Sequence, residues 1–71
     1  MITIELDESP SGKTITVLSG MDGEKYDLRK VKRVLKNITK CEKTKLTDSG
    51  EIILLGSHIK LINEFITRIG F

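Results

Sequence analysis

Between Asp27 and Cys41 the sequence DLRKVKRVLKNITKC brings back an apolar residue at the period of a helix: Leu28, Val31, Val34, Leu35, Ile38 and Cys41. At 100° per residue these positions fill an arc of about 140°. Asp27, just before the first of them, is a good N-cap. A helix with one apolar face has to bury that face against a second layer. The stretches on either side change period, and this decides what the second layer is.

Met1 to Asp7 alternates, with Ile2, Ile4 and Leu6 on one side and Thr3, Glu5 and Asp7 on the other. That pattern predicts a strand with one buried face. ESPSGK follows as a turn, and KTITVLS, Lys13 to Ser19, predicts a second, β-branched strand closing a hairpin. GMDGEKY connects to the helix. After it, TKLT and EIILL predict two short strands joined by the turn Asp48 to Gly50. Gly56 and Ser57 then open a second amphipathic helix, with Ser57 as its cap. Its apolar set is His58, Ile59, Leu61, Ile62, Phe65, Ile66 and Ile69, and Gly70 is its C′ residue. The order ββαββα predicts an α+β fold, a two-layer sandwich with two helices on one face of a small mixed sheet. In it the second strand, first helix and third strand would make a right-handed parallel crossover.

The 71 residues predict a single domain, residues 1–71. A chain this short buries only about 60% of its unfolded surface, so each aliphatic side chain counts. With no Trp and few aromatics, the core is expected to be Ile, Leu and Val. No apolar run approaches the ~20 residues that span a bilayer, and no signal pattern opens the chain. A cytoplasmic monomer with no membrane association is the expectation.

The net charge of +2 conceals a strong asymmetry. Leu28 to Lys45 holds eight basic residues and one acid, whereas the remainder holds four basic residues and nine acids. Arg29, Lys32, Arg33, Lys36 and Lys40 form a stripe about 100° wide, centred almost opposite the apolar arc, with Lys30 on its flank. Local structure does not call for these charges. Asp27 is the only acid close enough to pair within the helix, and Arg29 and Lys30 sit where the macrodipole disfavours cations by roughly 0.3–1 kcal/mol each. A solvated lysine-rich face is the plain alternative. Segregated cations at repeated helical spacing instead fit a polyanion, nucleic acid above all. The stripe has no aromatic platform for stacking bases, so shape and phosphate recognition is the expected mode. Tyr26, the one aromatic nearby, reads better as an anchor from loop to core than as a base stacker.

The other chemistry-bearing residues are sparse. Cys41 lies on the apolar face and reads as a core thiol. His58 stands alone and reads as a structural histidine. One Cys and one His give little support to a metal site or to Cys–His catalysis, and no carboxylates are arranged in pairs. Neither an enzyme nor a cofactor is expected. SPSGK lacks the full phosphate-loop pattern, so Ser11, Gly12 and Lys13 read as hairpin tip. IILL is less routine, because a sheet covered on one face should alternate. Either Ile53 and Leu55 are covered, or they form a surface for a protein partner or for self-association.

TVLSGMDGEKYDLRKVKRVLKNITKC, then GEIILLGSH, then the terminal IGF together resemble the small translation initiation factor 1 family, the start-codon-selection factors of eukaryotes and their archaeal relatives. The likeness runs from Gly12 to the end, and marks a short or divergent member. It implies two helices packed on one side of a mixed sheet. It also implies a factor that binds small-subunit rRNA near the P site, beside the initiator tRNA and other initiation factors, and that disfavours non-start codons. By the same resemblance, Asp27 to Lys40 supplies phosphate contacts, extended by Lys43 and Lys45. The hairpin loop, with Ser11, Gly12 and Lys13, approaches the P site. This loop is less basic than is usual in the family, CEKTK stands where a glycine commonly follows the cysteine, and Ser57 and Ile59 replace the charged residues that usually flank His58. The family's N-terminal tail and its strand after the second helix have no counterpart in the sequence. A protein-interaction module built on Ile53 and Leu55, and a general binder of structured RNA, are the competing readings.

Overall fold

The computed structural model describes residues 2–69, with Ile69 described by its backbone alone. The elements are β1 (Thr3–Glu8), β2 (Thr14–Ser19), α1 (Leu28–Thr39), β3 (Thr44–Leu46), β4 (Ile52–Leu55) and α2 (Ile59–Ile69). The order is the expected ββαββα, and the fold is a two-layer α+β sandwich. Gly70, expected as the C′ residue of α2, and the end of the IGF motif lie outside the described residues.

The sheet order is β1-β2-β4-β3, and every neighbouring pair is antiparallel. The sheet is therefore antiparallel where the sequence predicts a mixed one. β2 and β3 do run in the same direction, linked through α1, but β4 inserts between them. IILL is the reason. It is apolar on both faces, and a strand hydrogen-bonded on both sides suits it better than an edge does.

Both helices pack on one face, and their side chains meet those of the sheet in a single core. Val31 and Leu35 of α1, Ile62 of α2, Leu18 of β2, and Ile52 and Leu54 of β4 form its centre, with Met21 and Cys41 completing it. The core is thus not purely Ile, Leu and Val. Met21 comes from the β2–α1 connection, where an unbranched thioether can fill an irregular gap. Tyr26 packs against this core, as an anchor would. The apolar arc of α2 is wider than the surface it covers. Ile62 is buried, Phe65 and Ile66 are partly buried, and Ile59 and Leu61 are exposed.

Thr16 is the one fully buried polar side chain among the described residues. Its hydroxyl donates to the Gly56 carbonyl at 2.7 Å and accepts from the His58 amide at 3.0 Å. β2 is thereby tied to the turn that launches α2. The helix starts at Ile59, with the His58 carbonyl accepting from Ile62 N. The start expected from a Ser57 cap is displaced by one residue, because Thr16 supplies the fixing bond. His58 bonds through Nε2 to the Leu55 carbonyl at 2.7 Å, a satisfied structural histidine. The Cys41 thiol is buried and donates to the Lys43 carbonyl at 3.2 Å.

Candidate nucleic-acid interface

α1 begins as its sequence predicts. Asp27 has extended backbone, and its carboxylate accepts from the Lys30 amide at 3.2 Å. Val31 and Leu35 then lock one face onto β3 and β4. That fixes the opposite face outward. Arg29, Lys30, Arg33, Lys36 and Lys40 are exposed, and Lys32 is half-buried. Arg29, Lys32, Arg33 and Lys36 line one shallow groove together with Thr44, and no acid among the described residues belongs to that lining. Four of the five stripe residues are thus brought together.

Lys40 closes the helix in a left-handed conformation, φ 53°. Glycine is the usual choice there, since a side chain costs roughly 1–2 kcal/mol. Lys36 and Lys40 also sit at the end of the helix where the macrodipole favours cations. The stripe therefore spans both ends of the helix field, unfavourable at Arg29 and Lys30 and favourable at Lys36 and Lys40.

Thr44 was not singled out from the sequence. The alternation of Lys43, Thr44 and Lys45 was the available signal, since a strand sends neighbours to opposite faces. Thr44 points to the helix side and joins the stripe. Lys43 and Lys45 line a different surface, with Ile15, Ile53 and Leu55, on the sheet face away from the helices, and Thr44 borders both surfaces. Being at the sheet edge next to α1, they reach the stripe only around that edge.

Ser11, Gly12 and Lys13 are exposed at the β1–β2 hairpin tip. Gly12 takes φ 82°, and its amide donates to the Ser9 carbonyl at 2.8 Å. The Ser9 amide donates to Lys13 O at 2.8 Å, and Ser9 Oγ bonds Ser11 Oγ at 2.9 Å. The tip is held by its own short bonds. It lies at the end of the sheet where α1 finishes, because β3 starts beside the residues that pair with β2 next to the hairpin. It is not merged with the stripe, since α1 lies over β3 and β4 while the hairpin occupies the other half of the sheet.

Ile53 and Leu55 are half-buried on the open face, beside Ile15 and Val17. Among the described residues no group of His, Cys, Asp and Glu could hold a metal ion, and no helix is long and apolar enough to cross a membrane.

Fold and site together define a small two-layer α+β domain that presents a cationic helix face and a short, self-braced hairpin at one end. Residues 1–71 match the family "Translation initiation factor SUI1". The chain is 32% identical over 60 residues to the protein translation factor SUI1 homolog of Methanothermobacter thermautotrophicus, and 37% identical over 60 residues to that of Methanococcus vannielii. Each comparison covers 84% of this chain and 57% of the relative. The chain belongs to the SUI1 family of translation initiation factors, and it spans little more than half the length of these relatives.

Proposed function

We propose that this chain is a non-enzymatic, cytoplasmic initiation factor that docks α1 on rRNA phosphates of the small ribosomal subunit near the P site and promotes accurate start-codon selection. The observation that supports this most is the groove lined by Arg29, Lys32, Arg33 and Lys36 beside Thr44, with Lys40 beyond it. Flexible cations about 5–6 Å apart along a helix suit a phosphate backbone. Lys30 extends the patch from its flank, and Lys43 and Lys45 extend it around the sheet edge. Ser11, Gly12 and Lys13 supply the positional contact that senses codon pairing. The mechanism is steric: the braced hairpin tip and a correctly paired initiator tRNA compete for the same space.

The test is the double reversal Arg33→Glu and Lys36→Glu, measured for binding to purified archaeal small subunits and to an unrelated RNA hairpin. The expected result is loss of subunit binding at preserved thermal stability, with the wild type preferring the subunit. Undiminished binding rejects the docking surface. Equal affinity for the unrelated hairpin replaces the reading with a general structured-RNA binder.

A further inference from the structure

The face of the sheet turned away from the helices carries an ordered pattern. Reading across the strands in spatial order, β1-β2-β4-β3, one row is Glu5, Val17, Ile53, Lys45. The adjacent row is Asp7, Ile15, Leu55, Lys43, the last placed by the bond from Leu55 N to the Lys43 carbonyl. Both rows read acid, aliphatic, aliphatic, cation. The acids and lysines are exposed, and the four aliphatics are half-buried.

A row of this kind is complementary to its own reverse. Rotating a second copy by 180° about an axis parallel to the strands, lying over the seam between β2 and β4, exchanges β1 with β3 and β2 with β4. Glu5 then faces Lys45 of the second copy, Asp7 faces its Lys43, and Val17 and Ile15 face its Ile53 and Leu55. The next row continues without conflict, because Glu51, just before β4, comes opposite Ser19 of β2. A two-fold interface must be self-complementary in this way, and two sheets stacked face to face with aligned strands are a standard packing.

We infer that the open sheet face is a self-association surface, on which a second copy of this chain stacks with strands aligned and acidic edge over basic edge. Its size limits its strength. Four strands and two rows give a patch about 19 by 14 Å, hence roughly 500 Å² buried by a pair, well under the ~1,200 Å² of stable interfaces. The dimer is weak, formed at high micromolar concentration and above. It leaves both α1 faces outward but engages Lys43 and Lys45, so it goes beyond the RNA reading, does not rest on it, and competes with RNA only for those two lysines.

The experiment is sedimentation velocity on the full chain from about 10 µM to 1 mM, a range that brackets weak association, at low and at physiological salt. Three variants are compared: Ile53→Lys, Glu5→Lys with Asp7→Lys, and Lys43→Glu with Lys45→Glu. The acids and lysines are exposed and Ile53 is half-buried on the open face, and circular dichroism checks that each variant keeps its fold. The wild type is expected to dimerise, more weakly as salt rises. Ile53→Lys should weaken it at least about tenfold, since a charge then sits in the apolar centre. Each charge-reversed pair should be monomeric alone, because its two edges then carry one sign. An equimolar mixture of the two reversed proteins should associate again, all four edge pairs being restored. A wild type that stays monomeric at the top concentration overturns the inference. So does dimerisation that all three variants leave unchanged, or a mixture that stays monomeric.

Discussion

Replacing Thr16 with valine removes one oxygen and tests whether a single hydroxyl fastens β2 to the start of α2. The shape hardly changes, but the Gly56 carbonyl and the His58 amide lose their partner. A polar group left unsatisfied costs about 1–3 kcal/mol, and both are partly buried, so together they lose about 3 kcal/mol. The extra methyl recovers about 1 kcal/mol of apolar burial. The net loss is about 2 kcal/mol, a large share of the roughly 4–11 kcal/mol expected of a domain this size. For such a domain the midpoint should fall by about 8–16 °C. Thr16→Ser keeps the oxygen and loses one methyl, at about 1 kcal/mol. Urea unfolding of both variants, with hydrogen exchange at the His58 amide, makes the comparison. The valine variant should be the less stable and should exchange faster at His58. A valine variant as stable as the serine one would refute this role for the hydroxyl.

Gly56→Ala should cost about 2 kcal/mol by urea unfolding, because φ is 99° and a Cβ would lie 2.9 Å from His58 Nε2. In a His58→Ala background the same change should cost about 1 kcal/mol less, since the collision is gone while the backbone strain remains. Lys40→Gly should raise stability by about 0.5–1 kcal/mol by relieving a left-handed side chain. It should at the same time weaken RNA binding, which separates the charge of Lys40 from its place in the helix.

The sequence made the elements legible because their periods are clean. The Asp27 cap, the apolar face of α1, the hairpin and the core thiol Cys41 all follow from local pattern. What it left open depends on partners distant in the chain. TITVLS alternates Ile15 and Val17 with Thr16 and Leu18, and apolar content alone would bury the first pair. The structure buries the second, because the Thr16 hydroxyl finds Gly56 and His58 forty residues on. Strand order was likewise hidden. The doubly apolar IILL marks a strand of unusual environment, and only the pairing shows that it sits between β2 and β3. Of the candidate site, the α1 stripe was readable from its spacing. The separation of Lys43 and Lys45 from it required knowing that Thr44, not its neighbours, faces α1.

The salt dependence of binding to small ribosomal subunits tests the proposed role of α1 most directly. Five phosphate contacts from Arg29, Lys32, Arg33, Lys36 and Lys40 would give a log–log slope of about −3.5 to −4.5. Replacing Arg33 and Lys36 with glutamine should make that slope shallower by about 1.4–1.8 while the fold persists. A slope near zero, or one that the two replacements leave unchanged, would contradict the assignment of α1 to rRNA.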